Sequence, residues 1–187
     1  MDLLTEAFDL PVWASDYTAK SVKCDRILQD GEKLQLGNQE WQVLITPGHH
    51  PGHTCFLGEA GLIAGDMVAG FGTILVPPAT GDMDEYIHQL ARLRDLQPHL
   101  AFPSHGPVIA PPEHKFNHYI KHRSARHEKV LKAVIDGLSS LTEIAVKAYE
   151  DTPNAHPGLA KDQTLAHLIS HQRLSLIHIS EPTRLRS

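Results

Sequence analysis

The stretch that decides the fold is Thr46-Pro-Gly-His49-His-Pro-Gly-His53, which directly follows an apolar segment at residues 41–45. Glycine and proline around His49 fix sharp turns, so this side chain should project rigidly from the end of a strand. Imidazole nitrogens are favoured ligands of zinc and similar divalent ions. The stretch therefore predicts a strand that ends in a histidine-bearing loop suited to metal binding.

Two later loops repeat this arrangement. A Gly-Asp pair ending at Asp66 follows the apolar residues 62–64, and His105, within Pro-Ser-His-Gly-Pro, follows residues 100–102. Two imidazoles and one carboxylate at three strand ends are a donor set that suits zinc or another divalent metal. We therefore expect His49, Asp66 and His105 to converge in space.

Strand and helix signals surround these loops. Residues 33–36 and 41–45, separated by Gly-Asn, predict a β-hairpin. Asp82 predicts the start of a helix, because an apolar stripe with a period near 3.6 residues follows it. Strands that alternate with helices and polar loops indicate an α/β fold. The further predicted elements are a short helix at 3–8 and strands at 11–14, 54–57, 62–64 and 100–102.

The sequence becomes helical after residue 110. A long helix is predicted over 113–136, ended by Gly137, and two more follow at 141–150 and 159–173. Three helices after a mixed body indicate a small appended helical unit. We therefore divide the chain into an α/β unit at 1–110 and a helical unit at 111–173.

The C-terminal residues need a separate interpretation. The run Leu-Ser-Leu-Ile-His-Ile-Ser-Glu-Pro-Thr-Arg at 174–184 matches the codon-by-codon translation of a transposase-type sequencing adapter. The alternative is a natural polar tail with a short apolar run, but eleven consecutive matches favour the adapter. We expect residues 174–187 to come from library construction rather than from the natural protein.

Composition excludes several classes of protein. The net charge is −5, so no general basic field exists to hold nucleic acid. The two cysteines form no CxxC pair, and the sequence has neither a signal peptide nor a long apolar run, so we expect a cytoplasmic protein without a membrane partner. The 14 histidines are unusually many and indicate metal or acid–base chemistry.

The motifs around His49, Asp66 and His105 resemble, in order and spacing, the later metal-binding motifs of the metallo-β-lactamase superfamily. The resemblance implies the C-terminal part of an αββα sandwich and a site for two zinc ions. It assigns His49 to the first ion, His105 to the second, and Asp66 to both as the bridging and catalytic carboxylate. An aspartate at this position, rather than a cysteine, argues against antibiotic hydrolysis.

Within the superfamily, the chain is most similar to the branch of β-lactamase-like protein 2, through Tyr-Ile-Lys-His-Arg at 119–123 and Arg126. That branch carries a C-terminal winged helix, so residues 111–173 are expected to form part of one. The signature His-x-His-x-Asp-His is absent from the chain. We expect it to be encoded shortly before Met1, and expect this chain alone to be inactive, with at most two protein ligands per metal.

Other residues support narrower expectations. His53 should support the ligands without binding metal, and Cys55 should be a small core residue. His114, His118 and His122 recur every four residues. They could bind metal or line a solvated or interdomain face. The residues expected to reach the cleft and hold a substrate phosphate or carboxylate are His122, Arg123 and Arg126.

The implied activity of the complete protein is hydrolysis by a di-metal centre whose bound hydroxide attacks a phosphodiester or acyl group. The winged-helix resemblance favours single-stranded RNA as the substrate. The alternative enzyme is a thioester or lactone hydrolase of the glyoxalase II type. A third interpretation, from another class, is that this chain is only a packing or weak nucleic-acid-binding fragment.

Overall fold

The computed structural model describes residue 8 and residues 10–177. Except for Phe8, the predicted helix at 3–8 lies outside the described residues, as do positions 178–187 of the predicted adapter segment. No described helix combines the length and the apolar character that crossing a membrane requires.

A five-stranded sheet forms the centre of the fold, in the order β3-β4-β5-β6-β7. Neighbouring strands are antiparallel, except that β6 and β7 are parallel. Because β4 is two antiparallel steps from β6, the strands β4, β6 and β7 run in one direction and end at the same edge. The strands are β1 (Trp13–Ala14), β2 (Arg26–Ile27), β3 (Lys33–Leu36), β4 (Gln39–Ile45), β5 (Thr54–Gly58), β6 (Gly61–Gly65) and β7 (Ala101–Pro103).

The predicted hairpin is confirmed. Leu36 pairs with Gln39, which leaves Gly37 and Asn38 as a two-residue turn between β3 and β4. Gly37 has a φ of +62°, a conformation that hairpin turns commonly require and that only glycine adopts without strain. The pair β1–β2, which is parallel and separate from the main sheet, contains a strand that the sequence analysis did not predict.

The predicted helices that lie within the described residues are confirmed to within a few residues at their ends. Asp82 caps the helix that begins at Met83, because its side chain accepts hydrogen bonds from the backbone N–H groups of Asp84 and Glu85. Ser140 and Glu143 form a reciprocal capping box at the start of α4. The helices are α1 (Asp16–Ala19), α2 (Met83–Asp95), α3 (Glu113–Ile135), α4 (Leu141–Ala148) and α5 (Pro157–Arg173).

One face of the sheet packs against the helices. Leu44 and Leu62 of the sheet, Tyr86 of α2, Tyr119 of α3 and Ala166 of α5 belong to a single buried cluster. A second cluster joins α3, α4 and α5 through residues that include Val130 and Ile144. The C-terminal helices thus share one core with the sheet and have another of their own. The described part of 111–177 contains helices and no strand, so the winged-helix assignment remains a prediction.

The opposite face of the sheet is also apolar. Val43, Phe56, Ile63 and Phe102 form a row across β4, β5, β6 and β7, because each is paired in register with the next. Ile63 is 42% exposed, so no described element covers the middle of this row. A sheet with helices on one face and an apolar second face is the pattern expected for one half of a sandwich.

Candidate metal centre

Asp66 lies between two imidazoles at the common edge of β4, β6 and β7. Its Oδ2 is 3.8 Å from His49 Nε2, and its Oδ1 is 3.3 Å from His105 Nε2. The three side chains predicted to converge are thus brought together, each from the loop that follows one of the three parallel-running strands. Each carboxylate oxygen faces a different histidine, which is the arrangement a bridging carboxylate needs.

A backbone carbonyl fixes the orientation of His49. His49 Nδ1 is 2.7 Å from Leu75 O. A carbonyl oxygen can only accept, so Nδ1 carries the proton and donates it. In the neutral ring the lone pair therefore resides on Nε2, the nitrogen that faces Asp66. Histidine ligands in metal sites are commonly oriented in this way.

His53 supports the backbone of Asp66. The Asp66 backbone N–H donates to His53 Nε2 at 3.0 Å, so this nitrogen is unprotonated. His53 Nδ1 then carries the proton and donates to Thr46 Oγ1, which is 2.8 Å away and fully buried. Burial, followed by the proximity of His49, lowers the pKa of His53 to about 4. His53 thus holds Asp66 in position while remaining neutral.

The packing of His53 requires glycine at position 65. Gly65 has a φ of +52°, and a Cβ atom on it would lie 2.6 Å from His53 Nε2. Both the backbone conformation and the close approach therefore exclude larger residues. Cys55, on the neighbouring strand, is fully buried, as predicted.

The donors present fit part of a metal site. Asp66 Oδ1 is buried without a hydrogen-bond partner, which is unfavourable for an ionised oxygen unless a cation faces it. Among the described residues, no group of three or more His, Cys, Asp or Glu side chains is arranged closely enough to hold a metal ion by itself. Zinc takes four ligands in structural sites and three protein ligands in catalytic sites. The three side chains described here could supply two such ions only in part.

Two of the three predicted substrate-binding residues, Arg123 and Arg126, have other partners in the structure. The Arg123 side chain is 2% exposed and donates to Gln163 Oε1 at 2.7 Å and to Ile74 O. The Arg126 side chain donates to Ala148 O and to Asp151 Oδ1, the latter at 3.0 Å. We expected both arginines to reach the substrate cleft, whereas the structure places their side chains inside the helical packing.

His122 also differs from its prediction. It is half-buried, its Nδ1 atom has no hydrogen-bond partner, and its ring stacks with that of His118 at 6.2 Å between centroids. Burial and the adjacent arginines lower its pKa, which disfavours the charge needed to hold an anion. A helix spacing specifies a face but not what that face packs against, so the predicted substrate-binding role of these residues stays a prediction.

Two tyrosines hold the loop that follows Asp66, a role that the sequence analysis did not assign. Tyr86 Oη donates to Met67 O at 2.7 Å. Tyr119 Oη accepts from the Ala69 N–H at 3.2 Å and donates to Gly72 O at 2.8 Å. Both tyrosines occupy apolar stripes of their helices, so their sequence signal is indistinguishable from that of ordinary core residues.

A known protein family contains the segment that forms this edge of the sheet. The sequence profile described as the metallo-beta-lactamase superfamily matches residues 5–105, more than half of the chain. The chain belongs to the metallo-β-lactamase superfamily. The matched segment ends at His105 and contains both His49 and Asp66.

Relatives of this metallo-β-lactamase superfamily chain include the predicted branch. A β-lactamase-like protein 2 homolog from Drosophila melanogaster is 33% identical over 125 residues, covering 64% of this chain and 41% of the relative. An atrochrysone carboxyl ACP thioesterase from Aspergillus fumigatus is 32% identical over 107 residues, covering 56% of this chain and 33% of the relative. The predicted resemblance to the β-lactamase-like protein 2 branch is confirmed.

Solved structures support the same superfamily fold. A metallo-β-lactamase family protein from Thermus thermophilus superimposes with a TM-score of 0.66 at 29% identity, covering 80% of this chain and 50% of that protein. The chain thus spans half or less of the length of these three relatives.

Proposed function

We propose that this chain supplies one part of a di-metal hydrolytic centre, with His49, Asp66 and His105 as its metal ligands. The observation that carries the proposal is the Asp66 carboxylate, which faces one imidazole with each oxygen and leaves Oδ1 buried without a hydrogen bond. A bridging position between two cations would satisfy both oxygens. Imidazole and carboxylate donors favour zinc as the metal.

When bound, two such ions would supply a hydroxide nucleophile near neutral pH and stabilise the developing oxyanion. The residues of this chain would set the geometry for that chemistry. Leu75 O orients the His49 ring, and His53 fixes the backbone of Asp66. The His105 side chain is 72% exposed, so substrate would approach the centre from this side.

The remaining metal ligands would come from a segment outside this chain. The three candidate ligands do not complete a cage for two ions, and the chain covers 41% of the β-lactamase-like protein 2 homolog. The His-x-His-x-Asp-His signature predicted upstream would supply the missing donors. By itself, the chain would bind zinc weakly and would not turn over substrate.

We favour an acyl ester or thioester as the substrate of the complete protein. The two arginines expected to hold phosphate are buried in other contacts, and the net charge of −5 gives no general attraction for a polyanion. A relative that is 32% identical carries the name of a thioesterase. These observations support acyl transfer to water over phosphodiester cleavage.

Hydrolysis of single-stranded RNA is the second candidate function. It rests on the similarity to the β-lactamase-like protein 2 branch, together with the prediction that residues 111–173 form part of a winged helix. Polymer binding through phosphate contacts would weaken steeply with salt, whereas hydrolysis of a small thioester would not. Salt dependence therefore separates the two candidates.

The test uses the longer protein encoded at the parent locus, read in both directions from an adapter-free assembly. We expect two bound metal ions and thioester hydrolysis that His49→Ala, Asp66→Asn and His105→Ala each abolish. The matched control is His114→Ala, an exposed histidine on α3 that should leave metal content and rate unchanged. A locus without the upstream signature, or a protein that retains both metals after Asp66→Asn, would refute the proposal.

A further inference from the structure

Phe71 is an exception within its own segment. The other apolar residues between Met67 and Val76 are buried or half-buried, but Phe71 is 76% exposed. Among the large apolar side chains of the described residues, this is the highest exposure. Isolated exposed apolar residues are common on protein surfaces, so exposure alone has no functional meaning. The surroundings of this residue are what distinguish it.

The backbone on both sides of Phe71 is fixed. The Gly70 N–H donates to His105 O at 2.8 Å. Tyr119 accepts from the Ala69 N–H and donates to Gly72 O, at 3.2 and 2.8 Å. A loop held at three points cannot easily turn its phenyl ring into the core. The ring is therefore presented to solvent by a rigid support, as in a preorganised binding site.

Phe71 also lies beside the candidate metal centre. A Cβ atom on Gly106 would be 3.1 Å from Phe71 N, so the loop of Phe71 touches the residue next to His105. Val108, three residues beyond His105 on the same loop, is 53% exposed. Two exposed apolar side chains, those of Phe71 and Val108, thus belong to loop segments next to His105. Most binding sites combine such apolar surface with a few polar groups that fix orientation.

We propose that Phe71 is a specificity-determining residue that binds an apolar acyl group of the substrate next to the scissile bond. This inference rests on the proposed acyl hydrolysis and adds the class of acyl group. A phenyl ring offers a flat apolar surface and a favourable edge for an aromatic or long-chain acyl group, but nothing for an acetyl group. Phe71 would therefore favour large apolar acyl groups over small ones.

The test measures binding by this chain, without any need for turnover. The probes are the N-acetylcysteamine thioesters of benzoate, octanoate and acetate, titrated while the amide resonances of the protein are followed by NMR. We expect benzoyl and octanoyl thioesters to shift residues near 66–72 and 105–108. Phe71→Ala should weaken their binding about tenfold, or about 1.4 kcal/mol, whereas Phe71→Leu should retain most of the affinity.

The matched control is Val146→Ala, which removes a 70% exposed apolar side chain from α4 and should leave binding unchanged. Equal affinity for acetyl and benzoyl thioesters, no binding by the wild-type chain, or equal losses in both alanine variants would overturn the inference. A further outcome would also overturn the inference. The chain could bind a short oligoribonucleotide through Phe71 and bind no thioester, which would mean that Phe71 stacks on a base and not on an acyl group.

Failure of the proposed function gives a different result. If the longer protein does not hydrolyse thioesters while this chain binds them through Phe71, the hydrolase proposal fails and the binding surface stands. If the longer protein hydrolyses acetyl and benzoyl thioesters alike, with or without Phe71→Ala, only the role of Phe71 is refuted.

Discussion

His127 Nδ1 and His167 Nδ1 lie 3.1 Å apart at the interface between α3 and α5. At this distance one nitrogen must donate a proton and the other must accept it, so the pair is satisfied only when at least one ring is neutral. The ring of His171 packs against that of His127, with 3.6 Å between centroids, and its Nε2–H donates to His127 O at 2.9 Å. His167 and His171 are fully buried.

This cluster predicts that the protein loses stability in mild acid. Burial is the main cause that lowers the pKa of His127, His167 and His171. The nearby charges of Arg123 and Arg126 lower the pKa of His167 further. The carboxylate of Asp84 opposes the effect of burial on His127 and His171. Below pH 6.5 the unfolded chain therefore binds more protons than the folded chain. The free energy of unfolding should fall as pH falls below about 6.5.

Urea unfolding at pH 7.5, 6.5 and 5.5 measures this effect. We expect the free energy of unfolding to fall from the first pH to the last, because protons bind more readily to these histidines in the unfolded chain. His53 contributes in the same direction, because its pKa is about 4. His167→Gln should therefore reduce the slope without abolishing it. An unchanged slope in that variant would mean that folding does not lower the pKa of His167.

The buried arginine of α3 predicts a large loss of stability on truncation. Arg126 is 4% exposed, donates to Ala148 O and Asp151, and stacks over the ring of Tyr149 at 3.9 Å. Arg126→Ala should cost about 3 kcal/mol, because it leaves these acceptors unpaired and opens a cavity. The control is Lys132→Ala, an exposed i,i+4 pair with Asp136 that should cost less than about 0.5 kcal/mol. Equal losses of stability in Arg126→Ala and Lys132→Ala would contradict the structural role assigned to Arg126.

The contact of His53 with Asp66 predicts an effect on metal affinity. His53→Ala should weaken cobalt or zinc binding by the longer protein about 10- to 100-fold, the range typical for residues that orient ligands. His50→Ala, a change at an exposed neighbour, should have no effect. Metal titration followed by cobalt absorption tests this expectation, and thermal unfolding checks that both variants are folded. Equal affinity in the His53 variant would show that Asp66 needs no such support.

Glycine substitutions separate backbone strain from steric overlap. Gly65 and Gly37 have similar positive φ values, +52° and +62°, but only Gly65 has a close neighbour, His53. Gly37→Ala should therefore cost about 1 kcal/mol from strain alone. Gly65→Ala should cost at least about 1 kcal/mol more, because its methyl group displaces His53. Unfolding measurements that give the same value for both would contradict this account of the packing.

Much of the fold could be predicted from local signals. The turn at Gly37, the cap at Asp82 and the capping box at Ser140 each involve residues within three positions of one another, so the sequence contains the whole interaction. The positions of His49, Asp66 and His105 at strand ends followed from the same kind of local pattern. Their assignment to particular metal ions depended in addition on the resemblance to a known family.

The rest depended on contacts between distant segments. Arg123 and Gln163 are 40 positions apart, and Tyr119 reaches Gly72 across 47. Nothing in the spacing of either residue indicates its partner, because a helical stripe looks the same whether it faces solvent, a substrate or another helix. The arginines were assigned to substrate for this reason, and the support that Tyr119 gives to the loop went unnoticed.

The strands β4, β6 and β7 run in one direction and place the three candidate ligands at one edge of the sheet. The ligand positions must therefore be kept, whereas the loops between them can vary. The strands set the positions of three ligand-bearing loops, while the residues that would touch a substrate, such as Phe71, lie in the loops between those fixed points. A loop can therefore change its length or side chains without shifting the sheet. One scaffold can in this way acquire new substrates by small, independent steps, each of which leaves the metal-binding geometry unchanged.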